Sequence, residues 1–155
     1  MKSGFTSKNP KRRHISEISV TELNEALQSF ASRYLRGAIS LSAEERSTEV
    51  IEISLEHTAY MLRVLVESCE RDKLLSVNIS HSDGVYIWRV DFGGALPARV
   101  PMYRILAAAE QAGFTCREEG TTLMLGVKMK RRQVLSIYAA SRAEAERALT
   151  DMFLL

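Results

Sequence analysis

The stretch with the clearest capacity for chemistry is Asp91-Phe-Gly-Gly-Ala-Leu-Pro97, in which two glycines follow a carboxylate at the end of an alternating apolar segment. Gly-rich backbone at the end of a strand can approach a ligand closely, because glycine carries no Cβ. The same arrangement is also typical of a turn in which the aspartate side chain accepts a backbone hydrogen bond. The sequence therefore predicts either a ligand site or a turn capped by Asp91, and leaves both open.

The histidines do not form a catalytic set. His14 lies in the N-terminal segment, His57 in the first turn of a predicted helix and His81 near a hairpin tip. None has a serine, cysteine or acidic partner at the spacing of a triad or a metal site. We therefore expect no catalytic residues, no metal and no cofactor, and we favour a chain that is not an enzyme.

The remaining reactive side chains have structural interpretations. Cys69 and Cys116 stand alone, so we expect reduced thiols and not a disulfide or a zinc site. Glu118 and Glu119 lie at a predicted turn, where little burial would shift a carboxyl pKa toward acid–base work.

Composition indicates a single globular domain. The 155 residues are 46% hydrophobic and 26% charged, which suits one water-driven core. No apolar run approaches the ~20 residues of a membrane span. Because the basic N-terminal segment lacks the apolar stretch of a secretory signal, we predict a cytoplasmic protein without membrane contact.

The N-terminal part begins with a basic segment, residues 1–17, that has no apolar periodicity and predicts a flexible tail. Ser19 and Glu22 form a capping-box pattern, which predicts a helix to about Arg36 that stops at Gly37. A polar connector to residue 48 follows, in which residues 43–46 form either a short helix or part of a flexible linker. The helix carries an apolar stripe at the spacing of one face: Val20, Leu23, Leu27, Phe30 and Tyr34.

Two ways of covering that stripe stay open. The helix either folds back on its own domain or pairs with the same helix, residues 20–34, in a homodimer. We favour folding back, because the stripe spans only about two heptads and short isolated coiled coils are marginal.

From residue 49 onward, strands and helices follow one another closely. Ser54 is a good N-cap for the longest helix, which should end near Arg71. Asp83 and Gly84 supply the positive φ that a tight hairpin turn needs. The predicted order is strand 49–53, helix 54–71, hairpin 77–91, helix 102–112, hairpin 114–129, strand 134–138 and a final helix that Ser141 caps.

These elements favour an α+β fold, because antiparallel hairpins replace regular β-α-β alternation. We expect a two-layer sandwich with helices on one face of a mixed or antiparallel sheet. The tail of residues 1–17 precedes one domain, 18–155, whose core is 49–130 and whose flanks are 18–48 and 131–155. The inner face of the sheet should include, in part, Val77, Ile79, Ile87, Val90, Leu123, Leu125 and Val127.

The order of elements over residues 49–130 resembles the ATP-binding domain of the GHKL superfamily, the fold of sensor histidine kinases and related ATPases. Residues 54–69 stand where that family has its asparagine-bearing helix. The segment Asp91-Phe-Gly-Gly-Ala-Leu-Pro97 resembles the family's Asp-x-Gly-x-Gly-Ile-Pro box, and Gly120-Thr-Thr-Leu-Met-Leu125 resembles its late Gly-Thr-x-Phe-x-Leu segment. The resemblance implies a histidine-kinase-like fold and a role in signalling.

The chain departs from that family where a nucleotide would be held. Val64 and Ser68 stand where the family has asparagines that hold magnesium, and Ala95 replaces the second glycine of the box. Only a few residues separate Pro97 from the next helix, so the Gly-rich lid is missing. The resemblance therefore implies a degenerate domain without the metal and phosphate apparatus.

Three functions follow from these features. We favour a non-catalytic regulatory or protein-interaction domain whose partner is another protein. The first alternative is an adenine or nucleoside site at Asp91, Gly93 and Thr121 or Thr122, the residues that correspond to the adenine side of the family's pocket.

The second alternative is weak nucleic-acid binding through two basic clusters, which contain Lys11, Arg12 and Arg13, and Lys130, Arg131 and Arg132. The formal net charge of only +2 and the absence of a recognition helix with interleaved aromatics make nucleic acid the least favoured partner.

Overall fold

The computed structural model describes residues 15–43, 46–130 and 139–154. Helices are interleaved with single strands and with pairs of strands along this part of the chain. In chain order they are β1 Ile15–Ser19, α1 Val20–Tyr34, β2 Ile39–Ser42, β3 Val50–Ser54, α2 Leu55–Ser68, β4 Leu75–Ser82, β5 Val85–Asp91, α3 Arg99–Ala112, β6 Thr115–Glu119, β7 Thr122–Lys128 and α4 Arg142–Phe153.

The larger sheet has five strands in the order β2-β4-β5-β7-β6. β2 runs parallel to β4, and the other neighbours are antiparallel, so the sheet is mixed. β1 and β3 form a separate antiparallel pair. Lys130, just beyond β7, exchanges backbone hydrogen bonds of 2.7 and 3.0 Å with Val50 of β3. This exchange joins the two sheets.

The β4–β5 hairpin forms as its turn residues predict. Asp83 and Gly84 have φ values of 51° and 77°, and the flanking residues Ser82 and Val85 are paired. Both turn residues are in the left-handed region, which a two-residue turn between right-twisted strands requires.

The inner face of the sheet differs from the prediction at one position. Tyr86, Trp88 and Val90 of β5 are fully buried, whereas Ile87 lies on the opposite face beside Ser80 and Gly126. Side chains alternate along a strand, so Ile87 and Val90, three positions apart, cannot both point inward. The expectation for Ile87 was therefore wrong. The other predicted inner residues, Val77, Ile79, Leu123, Leu125 and Val127, are buried.

The helices form one layer against that inner face. α4 lies between α1 and α2, and α3 packs on the other side of α2, at the edge of the layer. The opposite face of the sheet carries exposed polar residues such as Ser76, Asn78 and Arg89. The α+β sandwich with helices on one face of a mixed sheet is thus confirmed.

Four of the five stripe residues of α1 are covered within the chain, whereas Tyr34 is exposed. Val20, Leu23, Leu27 and Phe30 are buried, and the Phe30 ring meets the Phe153 ring of α4 edge-on at 5.1 Å. The fold-back arrangement is therefore what the structure shows for these side chains.

A buried hydrogen bond fixes α1 on the sheet. The Tyr86 hydroxyl on β5 donates to Asn24 Oδ1 at 2.9 Å, and both side chains are buried. Burial raises the pKa of Tyr86 far above its ordinary value, so the phenol stays a donor. In an apolar core the Tyr86 hydroxyl and the Asn24 side chain must stay bonded to each other, so this hydrogen bond fixes the position of α1 on the sheet.

The starts of α1, α2 and α4 follow the predicted N-caps. α1 and α2 end earlier than expected, at Tyr34 and Ser68, and α3 begins earlier, at Arg99. Ser19 and Ser54 accept hydrogen bonds from the first turns of α1 and α2, and α4 has the complete predicted capping box between Ser141 and Glu144. In α1, Glu22 accepts from the Arg142 backbone N–H at 2.6 Å. That contact ties the start of α1 to the start of α4.

Two strands were not predicted. β1 begins at Ile15, inside the segment expected to be a tail, and β2 occupies Ile39–Ser42, inside the expected connector. Both are short and gain their stability from pairing with distant strands, β3 and β4, which local sequence does not reveal. The strand predicted for residues 134–138 lies outside the described residues, as do residues 1–14, 44 and 45.

Candidate functional site

The predicted ligand residues meet at the end of β5. Asp91 is the last residue of that strand, and its direct neighbour across the sheet is Thr122 of β7. Gly93 follows in the loop toward α3, with a φ of 88° that requires glycine. Thr121 lies apart from them, exposed in the β6–β7 turn. The structure therefore brings together three of the four predicted residues.

The polar groups of this cluster already have partners within the chain. Asp91 Oδ1 accepts a hydrogen bond from the Gly93 backbone N–H at 2.8 Å, which is the aspartate-capped turn considered from the sequence. The Thr122 hydroxyl donates to the Glu119 carbonyl at 2.8 Å. Both groups are therefore engaged in holding turns.

Lys73 lies over Gly93 and Gly94 of the loop between β5 and α3, residues 92–98, which we call the exit loop. A Cβ placed on Gly93 would be 3.0 Å from Lys73 Cβ and 3.2 Å from its Cδ, and one on Gly94 would be 3.9 Å from Lys73 Nζ. The lysine side chain thus runs along both glycines. The close approach that glycine permits is used here by a side chain of the same chain.

Sequence reasoning missed Lys73, although a signal for it was present. The predicted Asp83-Gly84 turn sets the register of the hairpin, in which Ser76 lies opposite Asp91. Continuing that register beyond the paired strands places residue 73 beside residue 94. A long side chain at this position is therefore expected to reach the exit loop.

Cys69 closes the other side of this loop. Its Sγ lies 3.6 Å from the Phe92 carbonyl and 3.7 Å from the Lys73 carbonyl. Burial raises the pKa of the Cys69 thiol, and the nearby carboxylates of Glu70, Asp72 and Asp91 raise it further. A thiol held protonated is a poor nucleophile and a poor metal ligand, which favours the structural interpretation.

The second cysteine behaves in the same way. Burial, helped by the charge of Glu118, raises the pKa of Cys116 to about 11. Both cysteines are free thiols. The neighbouring carboxylate Glu119 is exposed and lies 3.1 Å from Arg117 and 3.8 Å from Arg89, so it belongs to a surface ion-pair group.

The two α2 positions that the resemblance compares with asparagines, Val64 and Ser68, are engaged within the chain. Val64 is fully buried, and the Ser68 hydroxyl donates to the Val64 carbonyl at 2.7 Å. After Pro97, the chain passes through Ala98 directly into α3. α3 then packs along α2, where Arg104 of α3 lies 3.3 Å from Glu67 of α2.

The other predicted chemical residues are dispersed. His57 is part of the α2 cap, with its Nδ1 2.9 Å from Ser54 Oγ, and His81 lies in β4 opposite Tyr86. Within residues 15–43, 46–130 and 139–154, no three histidine, cysteine or acidic side chains form a group that could hold a metal ion. In the same ranges, no helix is long and apolar enough to cross a membrane.

The basic clusters are only partly visible. Lys130 Nζ lies 2.7 Å from Glu52 Oε1, so its charge is paired with an acidic neighbour. Lys11, Arg12, Arg13, Arg131 and Arg132 lie outside the described residues. The nucleic-acid alternative therefore stays a prediction.

Neither a family model nor a curated protein matches the sequence. Among solved structures, the chain is similar to the Acinetobacter baumannii histidine kinase AdeS, with 12% identity over 77% of this chain and 68% of that chain and a TM-score of 0.48. The chain is also similar to the cytoplasmic segment of histidine kinase QseC, with 12% identity over 76% of this chain and 79% of that chain and a TM-score of 0.42. A third similar structure is a histidine kinase from Burkholderia phymatum STM815, with 14% identity over 81% of this chain and 77% of that chain and a TM-score of 0.45.

All three of these structures are histidine kinases, the class that the sequence resemblance names. The similarity concerns the fold, and at these identities and TM-scores no functional residue is transferred from them to this chain.

Proposed function

We propose that this chain is a non-catalytic regulatory or protein-interaction domain built on a histidine-kinase-like fold. The observation that carries the proposal is the position of Lys73, whose side chain covers Gly93 and Gly94 where a ligand would have to approach the exit loop. A ligand there would first have to displace this side chain. Gly93, Gly94 and Lys73 are exposed, and the contacts that hold the turn lie within the chain.

The neighbouring groups support the same function. Asp91 holds Gly93 through a 2.8 Å hydrogen bond, and Ser68 is bonded to its own helix. A triphosphate with magnesium needs several backbone amides and a metal ligand aimed at one place. The Gly93 amide and the Ser68 hydroxyl are instead both bonded within the chain.

The positive support for a protein partner comes from α3. Its side away from α2 and the sheet forms a surface that we call the α3 outer face: Arg99, Val100, Tyr103, Leu106, Ala107 and Glu110, all exposed. Val100, Tyr103 and Leu106 have exposed fractions of 69%, 61% and 39%. Several large apolar side chains exposed together on one helix mark a surface that another protein covers.

Calorimetry with ATP and magnesium tests the non-catalytic part of the proposal. We expect no binding heat at millimolar nucleotide and no phosphate release. Binding with a micromolar Kd, accompanied by hydrolysis, would overturn the proposal.

Thermal melting with adenosine tests the adenine alternative separately. The proposed function predicts the same Tm with and without millimolar adenosine, because a ligand raises Tm only if it binds the folded state. A rise in Tm that Asp91→Ala abolishes, while Asp151→Asn at an exposed position of α4 preserves it, would favour the nucleoside site.

A further inference from the structure

We propose that the α3 outer face binds the same face of a second copy of this chain, with the two α3 helices antiparallel. This inference rests on the proposed function, since it names the partner of a surface assigned there to protein contacts. It moves self-association away from α1, the helix that the sequence offered as the alternative dimer contact, because Val20, Leu23, Leu27 and Phe30 of its stripe are buried within the chain.

The position of α3 makes such a contact possible. α3 is at the edge of the helix layer, with α2 on one side. Its buried residues, such as Met102, Ile105 and Ala109, face the domain core. Val100 and Tyr103 point away from them and are more than half exposed. A second helix can therefore lie along this side without any rearrangement of the domain.

The charges at the two ends of the face complement each other. Arg99 is at the start of α3 and Glu110 is near its end, about three helical turns apart and hence on the same side of the helix. In an antiparallel pair, Arg99 of each copy lies opposite Glu110 of the other. A parallel pair would instead place like charges together, so the charges select the antiparallel arrangement.

The apolar residues fit the same alignment. With the two-fold axis at the middle of α3, Tyr103 of one copy packs against Leu106 of the other, and the small side chain of Ala107 allows the helices to approach closely. Arg104 lies 3.3 Å from Glu67 of α2, so its charge is at the margin of the proposed interface and not at its centre. The same patch then serves both copies, as a two-fold interface requires.

The size of the face indicates a weak dimer. One helix of 14 residues from each copy buries less than the roughly 1,200–2,000 Å² of a stable specific interface. We therefore expect association in the micromolar range or weaker, visible as a monomer–dimer equilibrium. A partner of one charge sign is not favoured, because the face carries a cation at one end and an anion at the other.

Sedimentation equilibrium of the full chain, from about 10 µM to about 1 mM, tests the proposal. The weight-average mass should rise from 17.4 kDa toward twice that value. Tyr103→Glu, at an exposed position, should keep the chain monomeric and folded, as judged by its circular dichroism and melting. Arg36→Glu, an exposed charge reversal beyond α1 at the other edge of the helix layer, is the matched control and should dimerise like the wild type.

Charge reversal tests the antiparallel alignment. Arg99→Glu and Glu110→Arg should each weaken the dimer about tenfold, because each places like charges across the interface. The double variant restores both pairs and should recover wild-type affinity within about threefold.

Four results would overturn the proposal: a wild-type mass that stays at 17.4 kDa throughout, a dimer that Tyr103→Glu leaves intact, single reversals without effect, or a double variant that does not recover. The proposed function fails by a different result, the binding and hydrolysis of ATP by the same protein, so the two failures are distinguishable.

Discussion

The contact between Gly93 and Lys73 decides whether a ligand can approach the exit loop. Gly93 has a φ of 88°, and the Lys73 stem occupies the space beside it. A glycine of this kind usually suggests close approach of a ligand. Here the partner of the glycine is a side chain two residues before β4, so the loop is held from inside the molecule.

Gly93→Ala should destabilise the fold more than Gly120→Ala. Both positions have a positive φ, where an L-residue costs roughly 1–2 kcal/mol. Only at Gly93 does the added methyl also meet an atom at 3.0 Å, Lys73 Cβ, while Gly120 has open space. Overpacking should add about 1 kcal/mol or more, measured as the difference in urea unfolding free energy. Equal losses would mean that Lys73 does not lie on Gly93.

Glu146 of α4 makes hydrogen bonds that should depend on pH. It accepts hydrogen bonds from Ser29 of α1 at 2.9 Å and from Arg142 at 2.9 Å. Burial alone would raise the pKa of Glu146, but the hydrogen bonds from Arg142 and Ser29 lower it below its ordinary value of 4.5. A lowered pKa stabilises the fold above the unfolded-state pKa, and this stability is lost as pH falls through the folded-state pKa.

Glu146→Gln should therefore reduce stability at pH 7 by about 0.2–1 kcal/mol, the range for partly exposed ion pairs. As pH falls below the ordinary glutamate pKa and then through the lower folded-state pKa, the variant and the wild type should converge. Urea unfolding at pH 7 and at a pH well below the folded-state pKa measures this, with Glu118→Gln, at an exposed position of β6, as the control for the change in net charge. A difference that persists unchanged at low pH would contradict the assignment.

At the scale of elements, the main finding is that α1 belongs to the domain core. Leu27 and Phe30 are buried, with Phe30 against Phe153. The sequence predicted the stripe of α1 correctly, because a 3.6-residue period is a local property. It left two ways to cover the stripe, because which surface covers a helix depends on residues distant in sequence.

The double variant Leu27→Glu with Phe30→Glu should fail to fold. Placing two carboxylates in the apolar layer between α1 and α4 costs a large part of the roughly 5–15 kcal/mol that keeps a domain folded. Circular dichroism should show loss of structure, whereas Tyr103→Glu should keep it. If the double variant converts a dimer into a stable, folded monomer, α1 is an interface helix and its place in the core is wrong.

The strands show where local sequence stops being sufficient. The Asp83-Gly84 turn was readable because its chemistry is local. β1 and β2 were missed because each depends on a distant partner, with β2 pairing Leu41 to Val77. Either of the two alternating sets of β5 side chains could face the core. The structure buries the set that contains the bulky Tyr86 and Trp88. Tertiary packing made that choice, and periodicity alone could not.

At the scale of the whole molecule, the fold was more predictable than the site. The residues of the predicted site, Asp91, Gly93 and Thr122, do meet, because the two hairpins fix their register. Their role depends on Lys73, which lies before β4 and comes to Gly93 only through the hairpin. A motif gives residue types and spacing, whereas the occupant of the space between them is a property of the folded chain.

Nuclear magnetic resonance of the ¹⁵N-labelled chain, titrated with ATP and magnesium to about 5 mM, tests most directly the claim that the exit loop binds no nucleotide. The backbone amides of Gly93 and Gly94 report the loop itself, and that of Ser68 reports the helix position that replaces an asparagine. We predict that these resonances do not shift beyond the change produced by the same concentration of magnesium chloride alone. Saturable shifts centred on Gly93, Gly94 and Ser68 would contradict the claim, because they would place a nucleotide where Lys73 now lies.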